Sequence, residues 1–579
     1  DCRIFQDLTV PEIIMEVARE FGLETVLSQN LQNTYQARIY CVQYRESSFA
    51  FISRLMEQEG IYYYFDHASE GPLMVLCDDI SCHDAVPGHG SLKLRDKNDA
   101  QRHLEDHIFT WSQKHRSVSL AVTLQDYDFE KSATDLLARK TAPSAGSQKV
   151  PAIERYDYPG IHKTADLGTD RALARQTARS AQLDEGRGVC NVRALAVGQK
   201  FTLESAVGGS SEFTVTEGGY QLYGLKHAEV EDQIGEAGAS EEEGYLCTFR
   251  AIPASTRFAK AATTPIPTIP GLQTAVVVGK SGEEIYTDAF GRIKVQFHWD
   301  RDGEKDENTT CWVRSVVPWS GKGWGMVALP RIGQEVVIQF EEGNPDRPIC
   351  TGMLYNDAHT PPYSLPDNKT QSGVKTNSSK GGGGFHELVF EDKKDAEFVR
   401  FQSERDYKQI VKNNAEITIG MEHQDKGDLT ETIYRHKTQT LETGDHTYTI
   451  KDGEQTIKIK KDKTETIEGK NTLTVTDNLA TTVKEGDVTT TVNMGDMTTA
   501  VKLGNVTLDA KAGKIAIKAM QEIKLSVGGS SITIDMSGIT IKGPTVTVQG
   551  DITADVKAPM TTVNANGILT LKGSLTMIN

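Results

Sequence analysis

Residues 481–514 read TTVKEGDVTTTVNMGDMTTAVKLGNVTLDAKAGK. A V-x-x-G unit recurs through them. Gly486, Gly495, Gly504 and Gly513 stand nine residues apart, and Val483, Val492 and Val501 each precede a glycine by three. Gly444 and Gly453 keep the same step further up the chain. A unit of this size gives one strand of about five to six residues and a corner. Corners that need positive φ select Gly, Asp or Asn. The period is too short for one chain to wind a solenoid coil by itself. Three chains, each supplying one side, could close a triangular tube.

The texture around this repeat agrees. Between Leu441 and Asn579 there are 26 threonines and a single aromatic residue, Tyr448. A globular core relies on aromatics and leucine, so this stretch cannot be built around one. In QTIKIKKDKTETIEG (455–469) and SSITIDMSGITIKGPTVTVQ (530–549), Ile, Val and some Thr alternate with Lys, Glu and Asp. Period-two alternation turns the small apolar set inward and the charges outward. A lone chain would leave one face wet and its ladder edges open. Wound with two copies, its backbone groups can pair across chains. The tail is therefore expected to be an obligate homotrimer, a stiff rod rather than a binding module. A single-chain β-helix of the polysaccharide-cleaving kind would need longer coils, stacked aromatics and a carboxylate or arginine cleft, and none is visible. Regular glycine corners and outward charges also argue against a merely aggregation-prone tract.

Upstream the composition changes. All five tryptophans lie at or before Trp324 and all eight cysteines at or before Cys350; after Pro366 only Pro544 and Pro559 remain. The 579 residues exceed one core and require several domains. Residues 1–265 read as a mixed α/β head, 271–357 as a compact β-barrel, 358–440 as a Gly-rich transition, and 441–579 as the needle. Three prolines in ATTPIPTIPG (262–271) mark a linker. A formal charge of −17 without a basic block disfavours nucleic acid as a partner. The cysteines are too sparse, and lack C-x-x-C spacing, for a disulfide scaffold or a zinc site, so reduced thiols are expected. No apolar run is long enough to span a membrane as a helix. No secretory signal is read, so a protein made in the cytoplasm would have to be exported folded.

In the head, DLTVPEIIMEVAREFG (7–22) carries a capping box, Thr9 with Glu12, a first-turn Pro11 and a closing Gly22. RESSFAFISRLMEQEGIYYYF (45–65) repeats the design, from Ser47 or Ser48 to Gly60, followed by an aromatic strand. A third helix is expected over 170–182. Its arginines, Arg171, Arg175 and Arg179, recur four apart and mark a solvated or subunit-facing side. His107 and His115 near Trp111 form a weak catalytic or metal candidate without a nucleophile beside them. Asp126, Asp128 and Glu130 could pair as glycosidase carboxylates, but an exposed strand face is the plainer expectation.

In the barrel region, GRIKVQFHWDRDGE (291–304) is a strand ending in an acidic turn. Asp300, Asp302, Glu304 and Asp306 suggest calcium only faintly, because the EF-hand order fails. Gly321, Gly323 and Gly325 permit a turn in which Trp319 and Trp324 lie against backbone. Short strands with glycine corners over about 85 residues suit a small closed barrel of OB type.

Three stretches carry a family resemblance: YCVQYRESSFAFISRLMEQEGIYYYF (40–65); FGRIKVQFHWD (290–300) with CWVRSVVPWSGKGWGMVALPRIGQEVVIQFEEGNPDRPICTGMLYN (311–356); and KTNSSKGGGGFHELVFEDKKDAEFVRFQSERD (375–406). The chain resembles VgrG proteins, the trimeric spikes of the bacterial type VI secretion system. That resemblance implies a mainly β, multidomain protein with a phage-hub-like head, an OB-like barrel and an intertwined triangular β-helix needle. It also implies a homotrimer seated on a hexameric Hcp-like tube, a PAAR-repeat cap at the tip, and secreted effectors with their adaptors. Contact with membranes would be transient, and the spike would be made in the bacterial cytoplasm and secreted or injected. Such a spike is not an enzyme and holds no cofactor; the sequence leaves open a structural ion in the needle axis. The family carries further residues ahead of the point matching Asp1, so part of the hub is expected to be missing. No cargo domain is read after the needle. Ser574, Leu575, Thr576, Met577, Ile578 and Asn579 are expected to form the cap-binding tip, since exposed apolar atoms at a rod's end call for a cover. The alternative is a phage-like tail hub or adhesin rod with an unrecognised binding or lytic module in the head. A deep pocket containing His107, His115 or Asp128 would favour it.

Overall fold

Local sequence starts the head as expected. Thr9 caps the first helix, α1 (Val10–Glu20), and its hydroxyl accepts from the Glu12 amide while the Glu12 carboxylate accepts from the Thr9 amide. Ser47 caps α2 (Ser48–Glu59), which stops at Gly60 in the left-handed region. The buried faces of the two helices, Ile13, Ile14 and Val17 against Phe51, Leu55 and Met56, share one core with Phe5 and Leu76. The third helix, α3 (Ala165–Ser180), begins earlier than its arginine spacing suggested, because Thr164 provides the cap.

The computed structural model describes residues 1–67, 71–95, 105–142, 153–205, 209–222, 245–420 and 427–578. It divides into two units, Asp1–Gly427 and Asp428–Asn579. The chain is mainly β, with 10% helix and 28% strand.

In the first unit a six-stranded sheet runs in the order Ser91–Lys93, Lys200–Ser205, Gly209–Leu222, Tyr245–Pro253, Asp184–Cys190, Ile108–His115. Its core gathers Phe201, Phe213, Phe249 and Trp111. Gly186 and Gly188 are needed there by contact. A Cβ at Gly186 would stand 2.1 Å from the Trp111 ring, and one at Gly188 2.4 Å from the Phe249 ring.

The region after the linker forms a five-stranded sheet in the order Lys294–Phe297, Gln273–Val278, Glu335–Phe340, Pro348–Leu354, Arg314–Ser315. Its two outer strands meet where Ile293 and Val313 exchange both backbone hydrogen bonds, at 2.9 and 2.8 Å. That bridge closes the sheet around Val277, Val295, Phe297, Val336 and Ile338. In the Ser320–Gly325 hairpin, Trp324 lies over Gly321, where a Cβ would meet its ring at 2.2 Å. Three further strands, Gln371–Lys375, Glu387–Glu391 and Phe398–Gln402, form a separate antiparallel sheet.

The second unit is built differently. Among the described residues no side chain beyond Glu391 is buried. One stretch pairs with itself: Glu522–Val527, Ser530–Asp535 and Gly538–Lys542 form an antiparallel meander. The sequence reading of 530–549 as alternating strands did not anticipate this pairing within the chain. The Gly528–Gly529 and Met536–Ser537 turns supply tight hairpins, the second followed by Gly538 at positive φ. Even there Ile532, Ile534, Ile539 and Ile541 remain exposed.

Candidate assembly surface

The corner glycines differ among themselves. Gly486, Gly495 and Gly504 have φ of 100°, 112° and 115°, and Gly444 and Gly453 have 94° and 135°. Gly513 does not enter that region. The side chains between the corners are open: Val483, Val492 and Val501 are each nearly half exposed, and Leu503 is 95% exposed. At the end of the chain Leu575, Met577 and Ile578 are exposed beside Ser574 and Thr576. Asn579 lies outside the described residues. A run of apolar side chains this long, without cover, is an assembly surface and not a ligand pocket.

The head candidates for chemistry do not gather. His107 and His115 flank opposite ends of the Ile108–His115 strand, roughly 26 Å apart at the usual rise. The buried His107 ring meets the Glu105 carbonyl at 3.0 Å through Nδ1, and His115 pairs with Asp184. Asp128 accepts the Glu130 amide, and Glu130 pairs with Arg292 at 2.7 Å. Asp300 accepts the amides of Asp302 and Gly303, so the acidic loop is a set of side-chain-capped turns. Among the described residues no group of three or more His, Cys, Asp and Glu is placed to hold a metal. The eight cysteines are unbridged. No described helix is long and apolar enough to cross a membrane. A cavity of about 910 Å³ lies between the Tyr62–Asp66 strand and the six-stranded sheet, lined by Tyr62, Tyr64, His83, Gln199 and Lys260; His107, His115 and Asp128 do not line it.

Two expectations need correction. Arg171 does not mark a solvated side: it is 6% exposed and bonds Glu59 on α2 at 3.1 Å. Arg38 reaches the same carboxylate at 2.5 Å. Removal from water opposes the Glu59 charge, but Arg171 and Arg38 outweigh it and hold the carboxyl below the usual range. Asp126 likewise is not on an exposed strand face. Its side chain is fully enclosed and accepts from Arg347 Nη2 at 2.7 Å, from the His162 amide at 2.9 Å and from the Tyr127 amide at 2.7 Å. Desolvation acts against its charge, yet these donors keep its pKa below the ordinary value.

The Arg347 contact belongs to a seam that sequence reading missed. The turn GNPDRP (343–348) projects from the barrel, and Asp346 accepts the Val42 amide at 2.7 Å while its neighbour Arg347 clamps Asp126. Glu57 on α2 takes the start of the linker, accepting from the Thr263 and Thr264 amides and the Thr264 hydroxyl, each at 2.9 Å. Head and barrel are thus fastened by charge-assisted bonds between residues more than 200 positions apart. The only hint in the sequence was an Asp-Arg pair inside a Pro-bounded turn.

Comparison with known proteins covers these parts in order. Residues 1–222 match the phage tail baseplate hub family, and 274–355 match the type VI secretion system/phage-baseplate injector OB domain. Residues 372–504 match the bacteriophage T4 gp5 C-terminal trimerisation domain. The chain is 41% identical over 424 residues to the type VI secretion system spike protein VgrG1a of Pseudomonas aeruginosa, covering 72% of this chain and 64% of that one. It is 40% identical over 422 residues to VgrG1b of the same organism, covering 72% and 56%. It thus spans less than two thirds of the length of the curated relatives it matches. Among solved structures, the E. coli c3393 protein, a component of the type VI secretion system, matches at TM-score 0.40 and 21% identity, over 61% of this chain and 73% of that one.

Proposed function

The chain belongs to the VgrG family, and on that premise we propose that it is the puncturing spike of a type VI secretion machine and acts as a homotrimer. One observation carries this reading: among the described residues the tail from 428 onward has no buried side chain, yet follows a head and barrel with filled cores. An object of that kind becomes rigid only by sharing its interior with copies of itself. An edge-free rod transmits force without needing a catalytic site, so the chain works mechanically rather than as an enzyme. The trimeric head would seat on a hexameric tube. The tip at Ser574–Ile578 would present Leu575, Met577 and Ile578 to a PAAR-type cap. Effectors would travel on that assembly across the target membrane, with the spike made in the cytoplasm and leaving it folded.

Native mass spectrometry of the full chain tests the assembly; a mass three times 63.6 kDa is expected. In a producing strain, removal of the chain is expected to abolish delivery of effectors to neighbouring cells. A single-chain mass with protected tail amides would end the spike reading. The described cavity of the head is not lined by His107, His115 or Asp128, as the adhesin or lytic alternative would require, and dye release from cell walls by the purified protein checks that alternative directly.

A further inference from the structure

Two strands of the six-stranded head sheet bring a pair of cysteines face to face. Cys190, the last residue of Asp184–Cys190, stands directly opposite Cys247 in its antiparallel neighbour Tyr245–Pro253. Side chains opposite one another in such a ladder point to the same face, with Cα atoms about 4.5–5.5 Å apart. Both thiols enter the core built on Phe201, Phe213 and Phe249, and both are fully buried. There each is the other's hydrogen-bond partner. A disulfide needs Cα atoms about 4.4–6.8 Å apart and converging Cβ atoms. The pair meets that spacing and lacks only an oxidant.

The surroundings make the two thiols unequal. Hydrogen bonding from Cys190 lowers the pKa of Cys247; burial opposes this, and the Tyr245 hydroxyl adds a second donor. Cys190 is pushed up in turn, first by its bond to Cys247 and then by burial. Cys247 therefore ionises first. Its other cross-strand neighbour is Tyr220, and Tyr220 and Tyr245 both line the cavity of about 910 Å³, so the cavity wall includes the side chains that flank Cys247. The other cysteines of the head differ. Burial pushes the enclosed Cys41 up to about 12. Cys77 is raised by burial as well, and its neighbour Cys82 commits its S–H to the Asn30 carbonyl at 3.0 Å.

We propose that Cys190 and Cys247 are a peroxide-reactive pair that closes to a cystine within the folded head. The oxidant is a small hydroperoxide, hydrogen peroxide in the simplest case. The Cys247 thiolate attacks one peroxide oxygen and the O–O bond breaks. Hydroxide leaves and takes up a proton, and Cys247 becomes a sulfenic acid. The Cys190 sulfur then attacks the Cys247 sulfur, giving up its proton as the S–O bond breaks and water departs. Two thiols and one hydrogen peroxide yield one disulfide and two waters; the sulfurs lose two electrons and the peroxide oxygens gain them. The bond staples two neighbouring strands of the sheet, and no second copy of the chain takes part. In a protein that leaves a reducing cytoplasm folded, it would fasten the head after export.

The test uses the full chain, reduced and then freed of reductant, and treated with hydrogen peroxide while folded. Remaining thiols are alkylated in denaturant, and peptides are read by mass spectrometry. A linked peptide joining Cys190 to Cys247 is expected, lighter by the two thiol hydrogens and separated again by dithiothreitol. The Cys247 thiol should disappear at least roughly tenfold faster than that of Cys41. In the Cys190→Ala chain the same treatment should leave a sulfenic acid at Cys247, trapped by dimedone; a folded variant that traps none overturns the proposal. If that variant does not fold, the unsubstituted chain decides alone. Loss of Cys247 no faster than Cys41, or a link that forms only after denaturant has opened the head, overturns the proposal. Native mass enters neither reading, so the cysteine pair and the trimer fail separately.

Discussion

The two units of this chain solve opposite problems. Asp1–Gly427 closes apolar cores of its own, and buried charges there are paired within the chain: Glu59 with Arg38 and Arg171, Asp126 with Arg347. In the second unit the backbone turns regularly, but among the described residues no side chain is buried. A core closed within one chain can use large side chains of many shapes, because each meets a different neighbour. A core shared on an axis brings identical side chains together at every level, which favours small β-branched residues and identical corners. The scarcity of aromatics after Leu441 is thus a packing consequence, and the difference predicts how each unit breaks.

The largest effect is expected from a charge placed in the shared interior. Val492→Asp would bring three carboxylates together in the proposed trimer, each costing on the order of 3–5 kcal/mol without a partner. The three-chain mass should be lost at concentrations where the unsubstituted chain keeps it, while the urea midpoint of the head stays unchanged. Unaltered assembly would show that Val492 does not face an axis. The matching lesion in the head is Arg347→Ala, which leaves Asp126 enclosed and unpaired. About 3–5 kcal/mol of head stability should go, read by denaturant unfolding, with the subunit mass unaffected. The tail should not notice it.

How much of this was legible depended on distance along the chain. The caps of α1 and α2 were written within four residues of the turns they close, and Thr9, Glu12, Ser47 and Gly60 stand where expected. The tail's want of a core was equally plain, because a repeat states its rule at every step. Arg171 was misread because a four-residue spacing shows which side of a helix a group lies on, not what waits there; Glu59 lies 112 positions away. The seam through Asp126 and Arg347, 221 positions apart, left no periodic trace at all. The Glu522–Lys542 meander was missed for another reason: its glycine turns fit a hairpin as well as a corner, and alternation serves either pairing.

Glycines sharpen the contrast at a smaller scale. Gly188 is required by the Phe249 ring, so Gly188→Ala should cost about 1–3 kcal/mol through overpacking and lower the unfolding midpoint of the head. Gly495 has open space around it but a φ of 112°, so Gly495→Ala should cost roughly 1 kcal/mol per chain through backbone strain alone. That effect should appear in dissociation of the assembly, counted three times, and be absent from head unfolding. Equal effects of the two on head unfolding would erase the distinction between contact and conformation.

The smallest expected change lies one residue from one of the largest. Removal of the Asp346 carboxylate from water raises its pKa, and Arg54 and the Val42 amide only partly offset that. A carboxyl whose folded pKa exceeds its unfolded one makes folding less favourable once it must ionise, so its penalty is present at neutral pH and fades as pH falls toward the ordinary carboxylate value. Asp126 behaves in the opposite way. Its pKa is depressed, so its contribution is complete above the ordinary carboxylate value and is lost only as pH falls below it. Asp346→Asn keeps an oxygen to accept the Val42 amide and removes the charge. Head stability at pH 7 should therefore change by less than about 1 kcal/mol, with any change a gain, and that gain should shrink toward pH 4. Arg347→Ala should instead lose its deficit only in stronger acid, where Asp126 is neutral in both proteins. Two adjacent residues of one turn would thus give pH profiles of opposite slope in denaturant unfolding, and parallel profiles would mean that the two carboxylates do not sit in the separate environments described for them.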